Sequence, residues 1–363
     1  LTWAQGGYTS ASQFEKYFNC PFQHYMDYVL KAKRRAVAKL EVSDLGTYLH
    51  AIAEKYFLRS DCCDLEREEI VRRIDEIFEE IRAEDDKLDL LMTRSGQESM
   101  KQKICSRASF MIFKLTQKMQ YTSFRPFACE KPFGMSSEDS YPPVKIDSGN
   151  RVLNIRGVID RIDKCKDNFF VIDYKSKSSI SFSVKNIIMG DRVQMLIYIL
   201  AVCGAESFTP AGMFYVLMSD KYASLDKDDE RYRYQGYVNV DESNVLDIDR
   251  NLTADATVTT PSTLFNVKRT VRKTYSKLSG DILTAEELID CSKYAKRLME
   301  KAVREIDEGY ITPRPLVQNS SHSACNYCEY KTICAIQADD KRKRKAPSRL
   351  KIGDLTKLLG ELK

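Results

Sequence analysis

The chain has 363 residues, of which 43% are hydrophobic and 30% charged, and a formal net charge of +5. That composition belongs to a globular protein with a sizeable core, and no apolar run nears the roughly 18–20 residues of a membrane span. The charge is unevenly held: residues 341–363 carry nine Lys/Arg against two Asp/Glu, so the rest of the chain sums to −2, and the tail KRKRKAPSRLK reads as a solvated segment able to touch phosphates.

Residues 9–31 read as helix. Ser10 or Ser12 supplies a cap, Phe14, Tyr17, Phe18, Tyr25, Tyr28 and Val29 recur at helical spacing, and Pro21 interrupts the pattern just after Cys20. Further helices are predicted over 44–60, over 65–82 with an Ile70, Ile74, Ile77, Phe78, Ile81 stripe, and over 97–121 with Met100, Ile104, Ala108, Met111, Ile112, Leu115 and Met119 inward. After Pro126 the period changes to that of strands: 127–134, 151–163 and 168–176, the last two joined by the turn KCKDN. A helix over 184–203, broken near Gly190, is followed by strands 211–218 and 233–240. Residues 241–280 read as polar and irregular. Helix returns over 284–310, where Thr284 and Glu287 have capping-box spacing. Helices around a small sheet, with a strand–helix–strand crossing, give an α/β class. The divisions expected are a helical segment 1–125, a core sheet with its helix 126–240, a polar insert, helix and cysteine trio 241–337, and a basic tail 338–363.

The chemistry gathers on the 151–176 hairpin. Alternation in VIDYK puts Asp173 and Lys175 on one strand face and Ile172 and Tyr174 on the other. A turn centred on Lys166–Asp167 sets Asp160 opposite Asp173. Two carboxylates so close repel unless a cation lies between them, and a divalent metal does that. The plain alternative is a salt bridge between Asp173 and Lys175 at a strand end. Asp163 falls on the other face and reads as structural.

The eleven cysteines are an odd, scattered set. That favours reduced thiols in a cytoplasmic setting over a disulfide framework. Cys129 and Cys203 read as core. Cys325, Cys328 and Cys334, in CNYCEYKTIC, can share one metal centre that wants a fourth ligand. Thiolates suit zinc or iron–sulfur, and local spacing does not separate the two. No GxxxxGK[ST] occurs, so the chain has no nucleotide motor of its own. It opens on Leu without signal-peptide features, as an excised piece of a longer protein would.

The series GVIDRID, VIDYKS and then QMLIY on a helix, preceded by Gly46-Thr-Tyr-Leu-His50, resembles the RecB-like branch of the PD-(D/E)XK nucleases. Within that branch, CPF after the first helix and CxxCxYxxxC near the end are similar to the AddB-type nuclease domains of helicase–nuclease machines. The likeness spans about residues 8–337. It implies a PD-(D/E)XK core, a central mixed sheet flanked by helices. It implies that His50, Asp160, Asp173 and the Tyr174 carbonyl hold Mg2+ or Mn2+. Lys175 then orients the attacking water, with Gln194 and Tyr198 positioning the strand or Lys175. Glu130 matches an acidic strand position of the family. His24 and His322 read as ordinary polar residues. Cys20 is implied as the fourth ligand of a [4Fe–4S] cluster with Cys325, Cys328 and Cys334, joining the N- and C-terminal segments. Closing so long a loop removes of order 4–5 kcal/mol of unfolded-state entropy, by analogy with disulfides.

The resemblance implies a metal-dependent deoxyribonuclease that cuts single-stranded DNA in double-strand-break resection. Its partners would be DNA and an AddA-like helicase–nuclease subunit, with no membrane. Two alternative readings stand beside it: a non-catalytic DNA-binding scaffold built round the cluster, and a stand-alone or CRISPR-associated exonuclease of the same fold.

Overall fold

The protein is described from a computed structural model covering residues 7–32, 42–92, 97–176, 180, 182–218, 232–253, 258–272, 275–319, 323–337, 340–347, 354, 357 and 358. Strand β1 (Tyr8–Thr9) leads into α1 (Ala11–Asn19), capped by the Ser10 hydroxyl, which accepts from the Gln13 amide. Cys20 is extended and ends α1. Pro21 opens α2 (Pro21–His24), which passes into a π-type turn over Tyr25–Val29. The break falls where Pro21 has no amide hydrogen to continue the ladder.

Four helices follow: α3 (Val42–Phe57), α4 (Arg67–Glu84), α5 (Asp86–Met92) and α6 (Gln97–Met119). The Ile/Phe stripe of α4 and the Ile104–Met119 stripe of α6 are buried as the spacing predicts. Next come β2 (Arg125–Phe133), β3 (Val144–Asp147), β4 (Val152–Ile155), β5 (Gly157–Cys165) and β6 (Asn168–Lys175). The single strand expected over 151–163 is therefore two, in different sheets: β4 lies between β1 and β3, and β5 joins the central sheet. The division sits at Arg156, whose amide donates to Thr9, and at Gly157, where a Cβ would lie 2.9 Å from the Phe133 ring.

The connection α7 (Val184–Met189) and α8 (Gln194–Ala205) crosses to β7 (Thr209–Leu217), and β8 (Gln235–Val238) closes the edge. Gly190, at φ +74°, ends α7. The central sheet runs β2-β5-β6-β7-β8, with β6 and β7 parallel and the other pairs antiparallel. Both faces are covered, so β6 is nearly all apolar. Phe170, Ile172 and Tyr174 join the core under α3, α4 and α6, and Phe169 and Val171 join the core under α1, α8 and the later α10.

The region read as irregular is structured. It holds α9 (Val245–Ile248), β9 (Thr260–Pro261), β10 (Val267–Arg272) and β11 (Tyr275–Gly280), with the strands in one antiparallel sheet. Arg269 hid the pattern: it occupies an inward position, 1% exposed, and its guanidinium donates to Glu242 and to the Leu252 carbonyl. The chain finishes with α10 (Ala285–Asp307), which has the expected Thr284/Glu287 capping box, then β12 (Leu316–Val317), α11 (Lys331–Cys334) and β13 (Arg344–Lys345). Among the described residues no helix is long and apolar enough to cross a membrane.

Asp163 takes the structural part expected of it. Arg161 and Asp163, both within 2% of full burial, form a two-pronged pair (Nε to Oδ1 2.6 Å, Nη2 to Oδ2 2.5 Å), and the guanidinium lies 4.0 Å from the Phe57 ring centroid. Removing one partner of such a pair strands a charge. Asp163→Ala is expected to cost about 3–5 kcal/mol in urea unfolding. Asp173→Ala, which relieves a crowd of like charges, is expected to cost far less.

Candidate active site

The register expected of the hairpin is the one that forms. Cys165 pairs Asn168 and the ladder runs to Arg161 opposite Ile172, which brings Asp160 and Asp173 to the same end of the two strands. The Asp160 carboxylate accepts the Tyr174 amide at 2.8 Å, closing the hairpin at its open end. Tyr174 itself turns to the opposite core, where its hydroxyl accepts from Arg161.

Two helices complete the site. Helix α3 buries Tyr48, Leu49, Ile52, Ala53, Tyr56 and Phe57, which leaves His50 on the edge facing the sheet. Its Nδ1 lies 3.3 Å from Asp160 and 3.8 Å from Glu130. Gly46, one turn earlier, lines the same cleft. A Cβ there would meet the Ser176 hydroxyl only at 3.5 Å, so the glycine serves to keep the cleft open rather than to avoid a clash. From α8, Gln194 accepts from Lys175 Nζ at 3.3 Å and donates to the Tyr198 hydroxyl one turn on. Lys175 is ion-paired with Asp173. Tyr198 is buried against Phe133 beneath the site. His50, Glu130, Asp160, Asp173, Lys175 and Gln194 all line one open cleft of about 570 Å3.

Negative charge is in excess there. Burial and the neighbouring Asp173 push Asp160 up to about 8. Burial raises Asp173 as well, with the Lys175 ammonium pulling the other way. For His50 burial acts downward, but the Glu130 hydrogen bond and the charges of Asp160 and Asp173 leave it above its usual value. Candidate ligand atoms of His50, Glu130 and Asp160 lie within 4.8 Å of one another. One imidazole, crowded carboxylates and a deficit of positive charge are a donor set that fits a divalent cation.

The family model of the PD-(D/E)XK nuclease superfamily matches residues 8–335. The chain belongs to that superfamily. This PD-(D/E)XK domain is also similar to the AddB proteins, the B components of ATP-dependent helicase/deoxyribonucleases. It is 27% identical to that of Clostridium tetani over 90% of its length, and 28% identical to that of Caldanaerobacter subterraneus over 92%. The match spans 30% of each relative's own length.

The domain's second cluster of ligand-type residues is sulfur. Cys20, between α1 and α2, and Cys325, Cys328 and Cys334 line one cavity of about 180 Å3. Burial raises the Cys325 thiol, and Cys20 and Cys328 add to the rise. The two chain ends meet around this cavity: Gln23 donates to the Ala324 carbonyl at 3.1 Å, and the Tyr330 hydroxyl bonds Asp27 and the Ala32 carbonyl. The four thiols in one cavity fit a tetrahedral thiolate centre. All eleven cysteines are free thiols, and Cys129 and Cys203 sit at the margins of the two cores.

His24 is buried against the Tyr17 and Tyr28 rings, which holds it down at about 4, as befits a core residue. His322 lies outside the described residues. Sequence reading noted Glu130 only as an acidic strand position. The structure gives it a left-handed φ of +45° on β2, between Cys129 opposite Arg161 and Lys131 opposite Ile159, so it faces Asp160. Such a backbone is rare outside glycine and marks functional sites. Glu54, which lines the cleft, and Glu15, discussed below, were missed altogether.

Asp160 holds more protons folded than unfolded between about pH 4 and pH 8, so its contribution to stability falls as pH rises through that window. A bound cation reverses the effect. Mn2+ or Mg2+ at about 100 times its dissociation constant is expected to add roughly 2.7 kcal/mol at pH 8. The gain should be smaller at pH 5 and absent in Asp160→Asn. Unfolding in the metal against EDTA, at both pH values, measures it.

Proposed function

We propose that this chain is a divalent-metal-dependent deoxyribonuclease. The observation that carries the reading is the convergence of His50, Glu130, Asp160, Asp173, Lys175 and Gln194 on one open cleft. His50, Asp160 and Asp173 would hold Mg2+ or Mn2+, with Glu130 as a further carboxylate and the Tyr174 carbonyl as a further oxygen. When bound, the cation acidifies water and offsets the charge that builds on a phosphate.

The residues of the chain do the rest. Lys175 presents an ammonium on a rigid strand, oriented by Asp173 and Gln194. It orients the attacking water and stabilises the extra negative charge of the pentavalent transition state. Tyr198 fixes the rotamer of Gln194 from below. The wide cleft admits an extended backbone, and single-stranded DNA is the substrate that the resemblance and the relatives' names favour. The same names favour a place beside an AddA-like helicase–nuclease partner in the resection of DNA ends.

The cysteine cavity would hold a [4Fe–4S] cluster bound by Cys20, Cys325, Cys328 and Cys334. Its part is mechanical: it ties together two segments 305 residues apart in sequence.

Three measurements test these readings. The purified chain should cut single-stranded DNA with Mg2+ or Mn2+ and not with EDTA. Asp173→Ala or Lys175→Ala should lower the rate by at least about a hundredfold, with circular dichroism unchanged. Retained cutting in either variant would remove the assignment, and DNA binding with no cutting in either metal would make the chain a scaffold. Separately, iron content and visible absorbance should be lost in Cys20→Ser as completely as in Cys328→Ser. A Cys20→Ser protein that keeps its colour would refute the four-cysteine centre.

A further inference from the structure

Helix α8 carries Gln194 but has no cap of its own. Its N-cap position is Val193, whose side chain offers no acceptor for the unpaired amides of a first turn. The acceptor comes from far away in sequence. Glu15, on α1, takes the Val193 amide at 2.8 Å and the Gln194 amide at 3.1 Å on the same oxygen, Oε1. A carboxylate at this end also suits the helix dipole. One turn along α1, Phe18 packs on Gly190, where even a Cβ would come within 2.4 Å of the ring. Helix α1 is thus seated at two points on the α7–α8 junction.

The contacts continue from there to the reaction centre. The residue whose amide Glu15 holds is the residue whose side chain accepts from Lys175, and Lys175 is paired with Asp173. Only one residue, Gln194, stands between the Glu15 carboxylate and the ammonium. Burial raises Glu15 to about 7, while the two amides and the charge of Lys175 act downward, so the two groups share one field.

We propose that Glu15 is a positioning residue for the reaction, anchoring the first turn of α8 so that Gln194 holds Lys175 in place. The inference rests on the nuclease reading above. Nothing places Glu15 among the groups that touch metal or DNA; it acts through Gln194.

The test uses the whole chain and single-stranded DNA with Mn2+. Glu15→Ala is expected to lower kcat about tenfold or more while KM changes less than about twofold, since misplacement of a reacting group costs rate rather than binding. Glu15→Gln, which keeps an acceptor oxygen, is expected to recover kcat to within about threefold of the unaltered chain. Lys16→Ala, on the same helix and away from the cleft, should leave both constants unchanged. Hydrogen exchange gives a readout independent of activity: peptides covering Val193 and Gln194 should exchange faster in Glu15→Ala and not in Glu15→Gln. Unaltered kcat in Glu15→Ala, or an equal loss in Ala and Gln, would overturn the proposal. If the unaltered chain cuts no DNA, the nuclease reading fails instead. Slow exchange at Val193 and Gln194 in Glu15→Ala would then still refute the anchor.

Discussion

The site depends on the register of one β-hairpin. Pairing Cys165 with Asn168 and Arg161 with Ile172 brings Asp160 and Asp173 together at the open end of β5 and β6. The same register sends Arg161 and Tyr174 to the opposite face, into the core beneath α3. A slip of one residue would exchange the faces, burying the site carboxylates among Phe57 and Met119 and exposing Ile172 to the cleft. Apolar burial on both faces therefore specifies a polar site that contributes nothing to burial itself.

The two acidic groups of that hairpin are handled in contrary ways. Asp163 has an Arg161 guanidinium fitted to both oxygens, so its charge is neutralised within the fold. Asp160 and Asp173 have one ammonium and one imidazole between them, with Glu130 adding further negative charge. Burial raises both acids. The fold tolerates the second arrangement because the cleft is open to solvent and to ions, whereas the Arg161–Asp163 pair is sealed. Where charge is left unbalanced beside a cleft, the missing partner comes from outside the chain.

How much of this was legible followed from range. Helices α4 and α6 and the break at Gly190 are local patterns, and they formed where the spacing put them. The hairpin register needed only the position of its turn. The metal-facing residues were readable because Asp160, Asp173, Lys175 and Gln194 fall within 35 residues. What escaped was set by partners distant in sequence or by exceptions to patterning. The split of 151–163 into β4 and β5 is imposed by β1, some 145 residues earlier. Strand β10 was hidden by a buried Arg269 that counts as polar in any periodicity. Glu130 looked like one more strand residue, because a left-handed backbone at a glutamate leaves no trace in composition. Glu15 looked like the solvent side of an amphipathic helix, since its partners lie 178 and 179 residues away.

Those long-range ties share a location. Glu15, Phe18 and Cys20 occupy six consecutive residues, and they meet α8, the α7–α8 turn and the cysteine trio respectively. Loop-closure entropy grows only with the logarithm of length, so a tie across 305 residues is little more costly than one across 178. Once either contact forms, the others close almost without further loss of freedom, because α1 is already fixed. The first helix is thus a rigid wedge whose position is over-determined. A disturbance at Cys20 reaches Gln194 through one and a half turns of helix and two backbone hydrogen bonds, rather than through the sheet. That route explains why the residue holding Gln194 and the residue facing the sulfur cavity are found on the same short helix, and why neither can be understood from its immediate neighbours in sequence.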